Sequence, residues 1–171
     1  MVGRTVAHFR IVEKLGEGGM GEVYRARHAL LPRPTAVKML RADHVESQTA
    51  MKRFEREVRS VSELTHPNTI AIYDFGKTEA GRFYYAMEYL DGMDLERFVA
   101  RFGPCPEARV IHILRQVCDS LAAAHARGLV HRDIKPSNVF VCRAGVPDLI
   151  KVLDFGLVRV AGSQTVTTSG A

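Results

Sequence analysis

The chain has 171 residues, 46% of them hydrophobic and 25% charged, which is the length and composition of one soluble globular domain. No apolar run approaches the roughly 18 residues of a membrane span, and the start lacks the apolar core of a signal peptide, so we expect a cytoplasmic chain. The net charge of +5 is modest and bases alternate with acids over 52–57, which argues against a nucleic-acid partner.

The first half of the chain predicts a sheet with one helix. Short β-prone runs predict strands over 9–15, 22–26, 35–40, 70–75 and 83–89. Between the third and fourth of these, apolar residues recur at spacings of three and four, which predicts a helix over 47–64. The apolar positions of that helix are Met51, Phe54, Val58, Val61 and Leu64.

A glycine-rich loop, G-E-G-G-M-G over 16–21, separates the first two predicted strands. Glycines at its first, third and last places let the backbone bend sharply and approach phosphate oxygens. A dinucleotide-binding fold would place a helix after this loop, whereas here a β-prone run follows. The pattern therefore favours a hairpin lying over phosphates, and a plain glycine-rich turn remains the alternative.

The third predicted strand carries a lysine among apolar residues. Strand alternation places Ala36 and Lys38 on one face and Val37 and Met39 on the other. A buried ammonium group is costly unless anions surround it. Lys38 is therefore a candidate phosphate ligand, although a lysine at a strand end can also extend its ammonium group to water.

The second half predicts helices over 94–102 and 106–127, followed by a hairpin of strands over 139–142 and 149–153. We treat the apolar stripe of the longer helix as core; its members are Val110, Ile113, Leu114, Val117, Leu121 and Ala124. Three cysteines, odd in number and far apart, predict neither a disulfide framework nor a metal site.

The run V-H-R-D-I-K-P-S-N-V over 130–139 holds the most chemistry. Asp133 can accept a proton, Lys135 supplies a cation, and Asn138 offers an amide oxygen. A second carboxylate, Asp154, follows the apolar run 149–153. A base, a cation and two oxygen ligands for a hard metal are the parts that phosphoryl transfer needs.

These patterns, H-R-D-x-K-x-x-N and then D-F-G, resemble the protein kinase family, and the glycine loop, A-V-K and a helix glutamate precede them in family order. The phrase L-G-E-G-G-M-G-E-V-Y is similar to bacterial eukaryotic-like serine/threonine kinases. The resemblance implies an α+β, two-lobe fold with an antiparallel sheet N-lobe, one helix and an incomplete helical C-lobe. We expect a truncated kinase domain over 9–171, with an N-lobe of about 9–89 and a partial C-lobe of about 92–171.

The resemblance also implies roles in transferring the γ-phosphate of ATP to Ser or Thr of protein substrates. Asp133, Lys135, Lys38 and Glu57 would be catalytic, and Asn138 and Asp154 would hold Mg2+. Nucleotide contacts would come from Leu15, Gly16, Glu17, Gly18, Gly19, Met20, Gly21, Glu22, Val23, Ala36, Lys38, Met87, Glu88, Leu90, Asp94 and Phe140. The family's regulatory spine would be His131, Phe155, Val61 and Ile72.

The role of Glu57 depends on the resemblance. As the helix glutamate of the family it would pair with Lys38. The residues alone also allow an exposed pair with Arg53, and Glu55 and Glu63 compete for the role.

The largest departure from the family is the end of the chain. It stops at Ala171 without the A-P-E sequence, so we expect a fragment cut within the activation segment and impaired in activity. Thr165, Thr167 and Thr168 are candidate phosphorylation sites that would pair with Arg132. The alternatives are a pseudokinase-like or inactive nucleotide-binding fragment, or a small-molecule phosphotransferase of kinase-like fold.

Overall fold

The structure is a computed structural model that describes residues 1–19, 21–41, 48–143 and 145–155. It has two lobes, one dominated by a sheet and one by helices, as the sequence predicts. The strands are β1 Thr5–Val6, β2 Phe9–Gly18, β3 Gly21–His28, β4 Pro34–Leu40, β5 Ile72–Lys77, β6 Phe83–Glu88, β7 Gly92–Asp94, β8 Val139–Cys142 and β9 Ile150–Val152. The helices are α1 Gln48–Ser62, α2 Leu95–Phe102 and α3 Glu107–His125.

The first lobe is an antiparallel sheet in the order β1-β2-β3-β4-β6-β5. Val37 and Met39 of β4 are buried in one apolar cluster with Phe9 and Ile11. The intervening Lys38 is buried on the other face of β4. The predicted alternation along this strand is therefore confirmed.

A second apolar cluster joins the two lobes. Val58 and Val61 of α1 belong to it together with Ile113 and Val117 of α3 and Val152 of β9. The smaller sheet, β7-β8-β9, packs its middle strand into the same cluster. Neither β1 nor β7 was predicted, because each has only two or three residues.

The apolar stripe of α3 is only partly core, so the prediction for that helix was wrong at two positions. Ile113, Val117 and Ala124 are buried, whereas Val110 is 39% exposed and Leu114 is 53% exposed. These two side chains lie on a side of α3 that no described residue buries. In the part of the chain that the structure describes, no helix is long and apolar enough to cross a membrane.

Candidate active site

The two lobes enclose a cleft with a cavity of about 570 Å³, within the size range of small-molecule sites. Most of the predicted nucleotide contacts line it: Leu15, Gly16, Glu17, Gly18, Gly19, Gly21, Val23, Ala36, Lys38, Met87, Glu88, Leu90, Asp94 and Phe140. Lys135, Asn138 and Asp154 line it too. The structure therefore brings residues from both lobes, far apart in sequence, to one site.

Two predicted nucleotide contacts do not join this group. Met20 lies outside the described residues. Glu22 does not line the cleft, because its carboxylate is 3.0 Å from Lys14 Nζ and 3.2 Å from an Arg82 nitrogen. Hydrogen bonds from Lys14 and then Arg82 lower the pKa of Glu22 to about 2. The side chain of Glu22 is thus bound by Lys14 of β2 and by Arg82, next to β6, and not by groups of the cleft.

One glycine of the loop, Gly21, is closely packed against the sheet, whereas the others face open space. A methyl group on Gly21, where φ is +142°, would overlap the carbonyl oxygen of Met39 in β4. Among the described residues, chain neighbours aside, no atom lies within 4 Å of such a methyl group on Gly16, Gly18 or Gly19. Gly21 is therefore required by strand packing, and the other three leave open space that a ligand can fill.

The first prediction separates these two roles. Gly21→Ala should destabilise the protein by about 2–4 kcal/mol, because it combines a strained φ with a backbone overlap. Gly18→Ala should leave the melting temperature nearly unchanged and weaken ATP binding. Thermal unfolding and nucleotide titration of both variants test this, and equal melting temperatures for the two would contradict it.

Asp133, the candidate base, is held by its two neighbours along the loop. Lys135 Nζ lies 2.9 Å from Asp133 Oδ2. The amide nitrogen of Asn138 donates to the Asp133 carbonyl oxygen at 2.8 Å and to Oδ2 at 3.1 Å. The hydrogen bond from Lys135 is the main cause of a lowered pKa at Asp133. The carboxylate is therefore ionised at neutral pH, as a proton acceptor must be.

Asn138 is a candidate magnesium ligand whose side chain is held by Asp133. Its side chain is buried on a 3-10 turn, Pro136–Asn138, and both of its bonds to Asp133 use the amide nitrogen. The amide oxygen is then the end left for a metal. Asn138 and Asp154 both line the cleft and both present oxygen, the donor that Mg2+ prefers. They fit a magnesium site that phosphate oxygens and water would complete.

His131 connects the loop carrying Asp133 to the strand before Asp154. Its Nδ1 accepts from the Asp133 backbone N–H at 3.3 Å, and its Nε2 lies 2.7 Å from the Leu153 carbonyl oxygen. These partners require a neutral ring with the proton on Nε2. The ring also packs against Phe155 in a tilted arrangement, with centroids 4.7 Å apart. Since Val61, Ile72 and Phe155 share one core cluster, the four residues proposed as a spine lie together.

The second prediction concerns pH. Burial lowers the pKa of His131 below its ordinary value of 6.5, so the unfolded chain binds this proton at higher pH than the folded chain. The free energy of unfolding should therefore fall as pH drops through about 6.5 toward the folded pKa. Denaturant unfolding across pH tests this. His131→Gln should reduce the slope, and the exposed control His112→Gln should keep it; an unchanged slope in His131→Gln would contradict the prediction.

Two side chains of the sheet lobe bind the carboxylate of Asp154. Lys38 Nζ lies 2.6 Å from its Oδ2, and the Tyr85 hydroxyl donates to its Oδ1 at 2.6 Å. Burial opposes ionisation, but the charge of Lys38 and these hydrogen bonds outweigh it and lower the pKa of Asp154. Both Asp154 and Arg132 have positive φ, 54° and 64°, a strain that often marks functional loops.

The expected pair of Lys38 with Glu57 is not the one that the structure forms. Glu57 of α1 lies 3.8 Å from an Arg132 nitrogen, and Lys38 lies against Asp154. Burial raises the pKa of Glu57, partly offset by the charge of Arg132. The helix is thus placed with Glu57 toward the loop that carries Arg132 and Asp133 rather than toward β4.

Sequence reasoning missed two side chains that bond to residues of the cleft, Tyr85 and Lys151, and five residues that line it: Ile70, Tyr89, Arg97, Ser137 and Leu153. Tyr85 was treated only as a strand residue, although β4–β6 pairing sets it directly opposite Lys38. Lys151 was also treated as strand, yet its Nζ lies 2.7 Å from the Glu88 carboxylate and ties β9 to the end of β6. Both are polar residues of a strand whose side chains point away from solvent. A polar residue within a β-prone run was the sequence signal that could have identified them. Thr165, Thr167 and Thr168 lie outside the described residues.

Known proteins resemble this chain in sequence and in fold. A sequence profile for the protein kinase domain matches residues 9–170. The chain is 43% identical over 164 residues to serine/threonine-protein kinase pkn3 of Myxococcus xanthus, covering 95% of this chain and 30% of that protein. It is 38% identical over 168 residues to serine/threonine-protein kinase PrkC of Bacillus subtilis, covering 98% and 25%.

A crystal structure of the Mycobacterium tuberculosis PknI kinase domain aligns with a TM-score of 0.83 at 34% identity, covering 96% of this chain and 64% of that one. The chain thus spans about a quarter to a third of the length of the curated relatives named above. The family match extends over both lobes and includes every described residue of the cleft. The chain therefore belongs to the protein kinase family.

Proposed function

We propose that the chain is the catalytic part of a serine/threonine protein kinase that transfers the γ-phosphate of ATP, with Mg2+, to hydroxyls of protein substrates. The observation that carries this is the bonding of Asn138 to Asp133 in a loop that also lines the cleft containing Asp154 and Lys38. Two candidate metal ligands and a cation thus line the cleft, and the candidate proton acceptor is bonded to one of those ligands beside it. We place the activity in the cytoplasm, where ATP is supplied.

Asn138 and Asp154 would hold magnesium, which neutralises phosphate charge when bound. Lys38 would bind phosphate oxygens. Because Gly16 and Gly18 carry no side chain and face open space, these oxygens could also approach the backbone N–H groups of the loop. Ala36, Val23 and Phe140 give the cleft the apolar walls that suit an adenine ring. Catalysis would come mainly from positioning and fixed charges.

Asp133 would orient the substrate hydroxyl and accept its proton. Its pKa is held low by Lys135, so it is ready as a base at neutral pH. The same Lys135 lies on the cleft lining and would offset charge on the transferred group. We propose one domain over 9–171 for this chemistry, with the lobes meeting between about residues 89 and 92.

The ion pairs of the structure favour a resting arrangement. Lys38 is paired with Asp154, and Glu57 is paired with Arg132. Both pairs would have to break before Lys38 and Glu57 could bind each other. This supports a second candidate function, nucleotide binding without efficient transfer.

One experiment separates the candidates. The 171-residue chain is incubated with γ-labelled ATP and Mg2+, first with seryl and threonyl peptides and then with small hydroxylated metabolites. Label on peptides supports the proposal. Saturable ATP binding without label supports the second candidate, and label on metabolites alone contradicts a protein kinase.

A further inference from the structure

The hydroxyl of Tyr85 lies at the centre of the site, bonded to Asp154, and has no role in the proposed function. Its side chain is 2% exposed, and it donates to Asp154 Oδ1 while Lys38 occupies Oδ2. Both oxygens of the candidate metal ligand therefore already bind protein groups. Each oxygen keeps one further lone pair, so a magnesium ion at this carboxylate would share an oxygen with the Tyr85 or Lys38 donor, and the positive end of that donor opposes its binding.

The sheet places Tyr85 there by register. β4 and β6 pair Lys38 with Tyr85 and Ala36 with Met87, so these four residues share one face. Tyr84 projects to the opposite face, where its hydroxyl lies 3.2 Å from Asp74 Oδ2. Burial, together with the charge of Asp154, raises the pKa of Tyr85 well above its ordinary range. The strand register therefore directs the Tyr85 hydroxyl to Asp154 and the Tyr84 hydroxyl to the opposite face of the sheet.

We propose that Tyr85 is a positioning residue that holds Asp154 in a metal-free position and so sets the magnesium concentration at which nucleotide binds. The proposal rests on the proposed function, because it concerns magnesium and ATP at the same cleft. A ligand shifts an equilibrium only by its difference in affinity for the two states. Stabilising the arrangement in which Asp154 bonds to Tyr85 and Lys38 therefore weakens apparent magnesium binding.

The test is a magnesium titration of the 171-residue chain with a fluorescent, non-hydrolysable ATP analogue at fixed concentration. Tyr85→Phe should lower the half-saturating Mg2+ concentration by about tenfold, the lower end of what a hydrogen bond to a charged group contributes. Tyr84→Phe is the matched control. It removes a buried hydroxyl from the next residue of the same strand, on the other face, and should leave the titration unchanged.

A merely structural role for Tyr85 gives the opposite result, since loosening the cleft would raise the Mg2+ requirement. An unchanged or raised half-saturating concentration in Tyr85→Phe overturns the proposal. If that variant does not fold, Tyr85→Met provides an apolar side chain without the hydroxyl and should show the same decrease. Failure of the unsubstituted chain to bind the analogue with Mg2+ overturns the proposed function itself and this proposal with it.

Discussion

Replacing Lys38 with methionine should destabilise the protein by about 3–5 kcal/mol, the range seen when one partner of a buried ion pair is removed. Lys38 and Asp154 have side chains only 9% and 16% exposed, and their charged atoms are 2.6 Å apart. Methionine fills the space of the lysine stem but leaves the Asp154 carboxylate buried beside an apolar group. Because whole domains are stable by only about 5–15 kcal/mol, the loss should be large in denaturant unfolding.

A double-mutant cycle tests whether the charge causes that loss. Adding Asp154→Asn to Lys38→Met should recover much of the lost stability, since neither charge then remains buried. The control is Lys14→Met, which breaks only exposed pairs with Glu17 and Glu22 and should change stability little. A double variant destabilised by the full sum of the two single effects would mean that the pair is not coupled.

Replacing Asp133 with asparagine should lower turnover about a thousandfold, within the range attributed to general bases. Asparagine keeps the backbone carbonyl that accepts from Asn138 and a similar shape, but it cannot accept a proton. Asp133 does not belong to the described lining of the cleft, so ATP affinity should change little. The loss should therefore appear in kcat and not in the nucleotide dissociation constant.

Steady-state kinetics and nucleotide titration of the same preparation measure these two quantities. Asp91→Asn is the control, because Asp91 is an exposed carboxylate whose ion-pair partner Arg143 is also exposed. It should leave both quantities unchanged. Near-normal turnover in Asp133→Asn would show that Asp133 is not the proton acceptor.

The sequence predicted the elements because local patterns determine them. The helix over 47–64 was predicted from apolar spacing and is found at Gln48–Ser62. The glycine loop was assigned to a hairpin because a β-prone run follows it, and β2 and β3 pair across it. Most of the cleft could be predicted as well, because its residues lie in motifs at the ends of those elements.

The sequence could not predict which partner each charge takes. Lys38 and Glu57 are the pair that the family pattern implies, but the position of α1 relative to the loop decides whether they meet, and here Glu57 faces Arg132. Similarly, Val110 and Leu114 fit the periodicity of a core stripe, but burial also requires a neighbouring element. The Tyr85–Asp154 bond joins residues 69 positions apart, beyond any local pattern.

The measurement that most directly tests the cleft as an ATP and magnesium site is equilibrium binding of a non-hydrolysable ATP analogue to the 171-residue chain, with Mg2+ and with a chelator. We expect one saturable site that is strengthened by Mg2+, and we expect Asp154→Asn to lose that strengthening. Binding that is the same with Mg2+ and with chelator, or a magnesium effect that survives in Asp154→Asn, would contradict the assignment.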